Sequence, residues 1–180
     1  FLNETIGTKD YDYIVASDTD SVYVRLGKLI ERFLPDCTDT EKIVNFLDNS
    51  SEKIIQPLID KKYEELAQMM NAYENKMFMG REVIAERGVW TAKKRYALNV
   101  WDSEGVRYEE PKLKIMGIET TRSSTPAIVR EKLKNAIRMI LTKEEKDIQE
   151  YVAEFRDEFF SCEPEEIAFP RSVSNLEKWE

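Results

Sequence analysis

The stretch from Tyr11 to Val24 constrains this chain more than any other. Two short β-prone runs flank Asp18-Thr19-Asp20-Ser21, a pattern that spells a hairpin with acids at its tip. Asp18 and Asp20 are two residues apart, so extended backbone would project both to one side. Paired carboxylates on a rigid hairpin suit a Mg²⁺ site for phosphoryl transfer. They make half of one, because Mg²⁺ rarely binds tightly to two side chains alone. The same four residues are also ordinary turn chemistry, since Asp and Ser side chains bond to nearby backbone N–H groups.

The rest of the sequence alternates between two periods. A capping box at Thr38 and Glu41 predicts a helix start. Apolar residues then recur at helical spacing through Ile43, Phe46, Leu47, Ile55, Ile59, Tyr63, Leu66, Met70 and Tyr73. Pro57 interrupts that pattern and predicts a kink or a second start. Strands are expected over Met77–Ala85 and Val89–Trp101, followed by a turn in which Gly105 can take positive φ. Val106–Tyr108 should run back until Pro111 breaks it, and Lys112–Gly117 reads as a further strand. Thr125-Pro126 predicts a helix start with Thr125 as N-cap, and Thr142 with Glu145 predicts another. The tail Ile167-Ala168-Phe169-Pro170 is strand-like. The fold class is therefore α+β, an antiparallel sheet packed on helices and followed by a mainly helical segment.

Composition narrows the chemistry. With 180 residues, 42% hydrophobic and 34% charged, the chain fits a globular protein rather than a disordered one. No apolar run approaches the roughly 20 residues of a membrane span. It opens Phe1-Leu2-Asn3-Glu4, without a leader pattern or initiating Met, so a piece of something longer is expected. Cys37 and Cys162 make neither a zinc site nor a disulfide framework and read as free thiols. There is no His, so a His-based triad or His-ligated metal within this chain is excluded. Carboxylates, Lys, Arg, Tyr and hydroxyls must carry any reaction.

Net charge is −8, yet from Arg87 to Leu141 there are 12 Lys/Arg against 6 Asp/Glu. That local +6 leaves −14 on the remainder, which suggests a basic face on an acidic body. Lys93-Lys94-Arg95-Tyr96 lies inside the expected second strand, where alternation would put Lys94 with Tyr96 and Lys93 with Arg95. A core strand cannot bury three unpartnered cations. This end must meet solvent, carboxylates or an anionic ligand such as a nucleic-acid backbone. Lysines protecting a strand edge would look the same. Thr120-Thr121-Arg122-Ser123-Ser124-Thr125 sets hydroxyls around an Arg before a helix, which suits phosphate as well as plain capping.

Three motifs in this order resemble family B DNA polymerases. Asp18-Thr19-Asp20-Ser21 with Val22-Tyr23-Val24 looks like the motif C hairpin. Lys93-Lys94-Arg95-Tyr96-Ala97-Leu98 resembles the Lys-Lys-x-Tyr motif, and Lys114 to Pro126 resembles the segment joining palm to thumb. Ile167 to Val173 resembles an early thumb segment. The wording is closest to the replicative polymerases of T-even-like phages and cyanophages.

That resemblance implies a palm C-terminal part over residues 1–120 and a thumb start over 121–180. It implies two-Mg²⁺ nucleotidyl transfer, with Asp20 as the more direct ligand, Asp18 supporting it and Glu82 as a further carboxylate. Lys94 and Tyr96 would face DNA most directly, Lys93 and Arg95 would support them, and Arg122, Ser123 and Ser124 would contact phosphates. Partners would be primer–template DNA, a dNTP and the remaining part of the polymerase, in the cytoplasm of an infected bacterial host. Nothing in the chain resembles motif A or the triphosphate-binding fingers motif, so the chain alone is expected to be inactive. Gly80 stands where phage relatives tend to carry an acid. A palm sheet without its upstream strands would expose an edge that favours dimerisation. The alternatives are a non-catalytic DNA-binding module of a split polymerase and an interaction protein with no DNA role.

Overall fold

The structure, a computed structural model, describes residues 1–172, 174, 175 and 177. In chain order it contains α1 (Leu2–Ile6), the hairpin β1 (Ile14–Asp18) and β2 (Ser21–Val24), then α2 (Gly27–Phe33) and α3 (Thr40–Ser50). A π-helical turn over Ser51–Ile55 leads into α4 (Gln56–Met69). Three strands come next, β3 (Val83–Ala92), β4 (Arg95–Ser103) and β5 (Val106–Met116). A 3₁₀ turn at Glu119–Thr121 precedes α5 (Ala127–Thr142), α6 (Glu145–Ser161) and α7 (Pro164–Ile167). The expected α+β class is borne out, with an antiparallel sheet in the order β3-β4-β5 and a helical C-terminal segment.

Two compact units divide the chain. One is Phe1–Ala85 with Val100–Glu110, the other Glu86–Asn99 with Pro111–Glu180. In the first, Ile6, Tyr13 and Leu29 form a buried cluster, with Leu2, Tyr11, Val24, Leu26, Phe46 and Leu47 packed against it. This core seizes the base of the β1–β2 hairpin. Tyr11 and Tyr13 meet edge to face at 4.7 Å, and the Arg25 guanidinium lies 4.4 Å from the Tyr11 ring centre. Arg25 N donates to the Tyr13 carbonyl (2.9 Å), and its Nε donates to the Asp12 carbonyl (2.7 Å).

The first unit also holds a closed ring of four charges. Asp48 of α3 reaches Arg81 Nη2 at 2.8 Å with one oxygen and Arg107 Nη2 at 2.9 Å with the other. Asp102 of β4 takes Arg81 Nη1 on one oxygen and Arg107 Nε at 3.1 Å on the other. Asp102 is fully buried, at 0% exposure, and its Oδ1 also accepts from Gly105 N at 3.1 Å. A buried carboxylate survives only when each oxygen is met by charge or hydrogen bonds, and here both are. The β4–β5 turn beside it has positive φ at Glu104 (52°) and Gly105 (84°), as the expected Gly105 turn requires.

In the second unit, Ala97, Ile118, Ile137 and Leu141 are buried together, backed by Val89, Leu113, Ile115 and Leu133. Helix α5 therefore buries Ile137 and Leu141, while Ile140 is exposed. Gly88 lies within β3, and a Cβ there would strike the Trp90 ring and Leu98. Cys37 and Cys162 are both free thiols.

Several local expectations shift for physical reasons. Asp39, not Thr38, caps α3, its Oδ1 accepting from Lys42 N at 3.1 Å. Pro57 marks a second start, since it lacks an N–H and sits in the first turn of α4, with the π turn just before it. Met77–Glu82 is not strand, and β3 begins at Val83. Pro111 does not break the third strand. It lies within β5, an edge of the sheet, where a missing N–H costs no ladder bond. Thr125 does not cap α5, because its hydroxyl donates to the Glu119 carbonyl at 3.0 Å. Thr142 ends α5, and Glu144 stands at the N-cap position of α6 without a side-chain capping bond. The tail is not strand-like, as Ile167 closes α7, and Val173 lies outside the described residues.

Asp102→Asn should lower the unfolding free energy by about 3 kcal/mol, because two guanidiniums would share the one remaining carboxylate. Urea unfolding would read this as a lower midpoint at unchanged slope. A loss under about 1 kcal/mol would mean that the ring does not hold this unit together.

Candidate metal-ligand hairpin and cationic turn

The hairpin pairs Ile14 with Val24, Ala16 with Tyr23, Ser17 with Val22 and Asp18 with Ser21, with a bulge between Ile14 and Ala16. Its loop is therefore the two residues Thr19 and Asp20. Neither takes a positive φ, unlike the primed turns that best match strand twist. Asp18 is the last residue of β1, and Asp20 is exposed in the turn itself. Strand alternation thus does not govern Asp20, and the expectation that both acids project from extended backbone is corrected. Asp18 Oδ1 accepts from Thr19 N (2.8 Å) and Thr19 Oγ1 (3.3 Å), which orients its carboxylate at the tip.

Glu82 belongs to the same unit and is exposed just ahead of β3. Its carbonyl accepts from Glu104 N at 2.7 Å, and its neighbour Arg81 is a member of the charge ring. Its backbone is therefore well fixed. Among the described residues no group of three His, Cys, Asp or Glu side chains gathers to hold a metal ion, so Glu82 does not complete a cluster with Asp18 and Asp20. The two hairpin acids are hard oxygen donors suited to Mg²⁺, but they supply only part of a coordination shell.

Lys93, Lys94, Arg95, Tyr96, Arg122, Ser123 and Ser124 all lie in the second unit. Lys93 and Lys94 are not in a strand. They form the exposed two-residue turn between β3 and β4, with Lys94 at φ 60°. A non-glycine residue in the left-handed region is uncommon and costs about 1 kcal/mol or more. The placement of both lysines at a tip replaces the expected alternation of faces. Arg95 opens β4, and Tyr96 is buried at 8% exposure, its ring centre 6.3 Å from that of Trp90.

Arg95 meets a partner that local sequence patterns do not reveal. Its Nη2 donates to both oxygens of Glu119, at 2.7 and 2.5 Å. Glu119 starts the 3₁₀ turn after β5, and its carbonyl accepts from Arg122 N (3.1 Å) and Thr125 Oγ1 (3.0 Å). Its own backbone N–H, then Arg95, then the charge of Arg122 hold the Glu119 carboxyl below its ordinary 4.5, and burial only partly opposes them. Arg95 and Glu119 are each 39% exposed, so solvent screens the pair and it adds little stability. Arg122, Ser123 and Ser124 are exposed on the approach to α5.

No family model matches the chain. Over its whole length it is 42% identical to the DNA-directed DNA polymerase of Enterobacteria phage T4 and 43% identical to that of Escherichia phage RB69, each over 189 aligned residues. The chain spans 21% of the length of either relative. The expected resemblance to T-even-like phage polymerases is borne out by these matches.

The lowered Glu119 pKa gives a pH test. A depressed carboxyl contributes through its ionised form, so the contribution is complete above pH 4.5 and fades as pH falls through the lower folded value. Carboxyl-carbon NMR should show Glu119 titrating below exposed Glu residues, and Arg95→Met should move its midpoint upward. An unmoved midpoint would mean that Arg95 does not act on this carboxylate.

Proposed function

We propose that this chain is a palm–thumb segment of a family B, phage-type replicative DNA polymerase, with residues 1–120 ending the palm and 121–180 beginning the thumb. The observation that carries this reading is whole-chain similarity to two phage DNA polymerases, together with Asp18 and Asp20 at the tip of an anchored hairpin. The reaction would be attack of a primer 3′-OH on the α-phosphate of a dNTP. Bound Mg²⁺ would supply charge stabilisation for the attacking and leaving oxygens. Asp20 would be the more direct ligand, and Asp18, already oriented by Thr19, the supporting one. Glu82 is an outlying carboxylate whose replacement should matter less.

The chain's other residues would bind rather than react. Lys93 and Lys94 at their exposed tip would meet backbone phosphates of the primer–template duplex, with Tyr96, buried with its ring near Trp90, anchoring the start of β4. Arg122, Ser123 and Ser124 would add phosphate contacts before α5. The remaining ligands, and the groups that close on the dNTP, would come from the rest of the polymerase. In support, Ile14, Val15 and Val22 of the hairpin are 45%, 44% and 40% exposed, as apolar residues awaiting further polypeptide would be. The proposed setting is the cytoplasm of the infected host. Among the described residues no helix is long and apolar enough to cross a membrane.

Primer extension with Mg²⁺ and dNTPs tests this reading. The purified chain should incorporate nothing, while a mixture with the companion part of the polymerase should extend the primer. Asp20→Ala should then cost about 1,000-fold or more, since a metal clamp is worth several kcal/mol. Incorporation by the isolated chain, or an indifferent Asp20→Ala, would overturn the catalytic assignment. An inactive mixture that nonetheless forms a complex would favour a non-catalytic DNA-binding module.

A further inference from the structure

The segment after β5 lies directly against the lysine turn. At Gly117, φ is 66°, and a Cβ there would collide with the Lys94 carbonyl oxygen and crowd Arg95 Cγ. Only glycine provides both the left-handed backbone and that clearance. Ile118 is next, buried in the core of the second unit. Glu119 then has its backbone fixed by the 3₁₀ turn and by the Thr125 hydroxyl on its carbonyl. Within three residues the chain makes a steric contact with the turn, an anchor in the core and an ion pair to Arg95.

These contacts define a rigid post beside a strained, exposed cationic tip. Lys94 holds a conformation that most residues avoid, so something around it must over-determine that conformation. The Gly117 contact and the Glu119–Arg95 pair both lie against this turn and contribute to that constraint. The pair is too exposed to matter much for folding, yet its carboxylate takes the same Arg95 nitrogen on both oxygens, at 2.7 and 2.5 Å. An interaction that contributes little stability but fixes geometry is what a positioning role requires.

We propose that Glu119 is a positioning residue that acts through Arg95 to fix the Lys93–Lys94 tip for the phosphate backbone of duplex DNA, with Gly117 as the clearance that allows the approach. This rests on the reading of the lysine turn as a duplex grip. Arg95, occupied by Glu119, then does not itself contact phosphate.

The test is binding of the full chain to a short DNA duplex, monitored by fluorescence anisotropy over a range of salt concentrations. Lys94→Ala should weaken binding and lower the salt slope by about one, as loss of one phosphate contact does. Glu119→Gln is nearly isosteric and exposed, so the fold should survive it. It should weaken binding about 3- to 10-fold at unchanged salt slope, and Arg95→Met should do the same. The double variant should be no weaker than either single one, and Arg95→Lys should recover part of the loss. A lowered slope in Arg95→Met would make Arg95 a phosphate contact and overturn the proposal. Tighter binding by Glu119→Gln would make Glu119 a mere mask and overturn it equally. Wild-type binding that ignores Lys94→Ala, or no binding at all, would instead defeat the duplex-grip reading, and the positioning role with it.

Discussion

The first unit depends on a carboxylate that water never reaches. Asp102 is buried on β4, and it is tolerable there because Arg81 and Arg107 meet its two oxygens while Asp48 ties both arginines to α3. The alternation of two anions with two cations leaves the ring neutral. It joins a helix, the segment entering β3 and two strands at one point. An apolar cluster of the same size could supply comparable burial, but it would not demand one register of β4 against β5. The Gly105 amide on Asp102 extends that demand to the turn.

The candidate functional groups are supported in different ways. The hairpin acids stand at the end of a short ladder whose base, Tyr13 and Val24, belongs to an apolar core. A two-stranded hairpin alone is marginal, so that anchoring at the base is what makes a defined tip available. The lysine turn instead sits at the end of long strands, with Gly117 close against the Lys94 carbonyl and Glu119 paired with the adjacent Arg95. One tip presents oxygen donors and the other presents cations, and both are exposed, as groups that meet a charged ligand must be.

Much of the site is legible in the sequence because its signals are local. Asp-Thr-Asp-Ser between β-prone runs marks the hairpin, and Gly105 marks the β4–β5 turn. The lysine turn escapes because nothing local marks it. Strand-like residues lie on both sides of Lys93-Lys94, and no Gly, Asn, Asp or Pro announces the positive φ at Lys94. Pro111 misleads in the opposite sense, since whether a proline breaks a strand depends on its being at an edge. The partners of Asp102 lie at Arg81, Arg107 and, through them, Asp48, and Glu119 is 24 residues from Arg95. Pairings over such distances leave no periodic trace. Asp102 beside Ser103, Glu104 and Gly105 looks like turn chemistry until the fold brings its arginines to it.

The π turn over Ser51–Ile55 has a consequence for how the chain length could vary. A π turn accommodates one residue more than an α-helical turn, which rotates the downstream helix by about 100° relative to an uninterrupted one. Ile59, Tyr63 and Leu66 on α4 are half-buried in that rotated frame. Deleting one residue at this turn would leave α3 and α4 hydrogen-bonded as a continuous helix while turning the α4 stripe away from its present packing. Single-residue gains and losses in this part of the chain are therefore changes of facing, not of helix content.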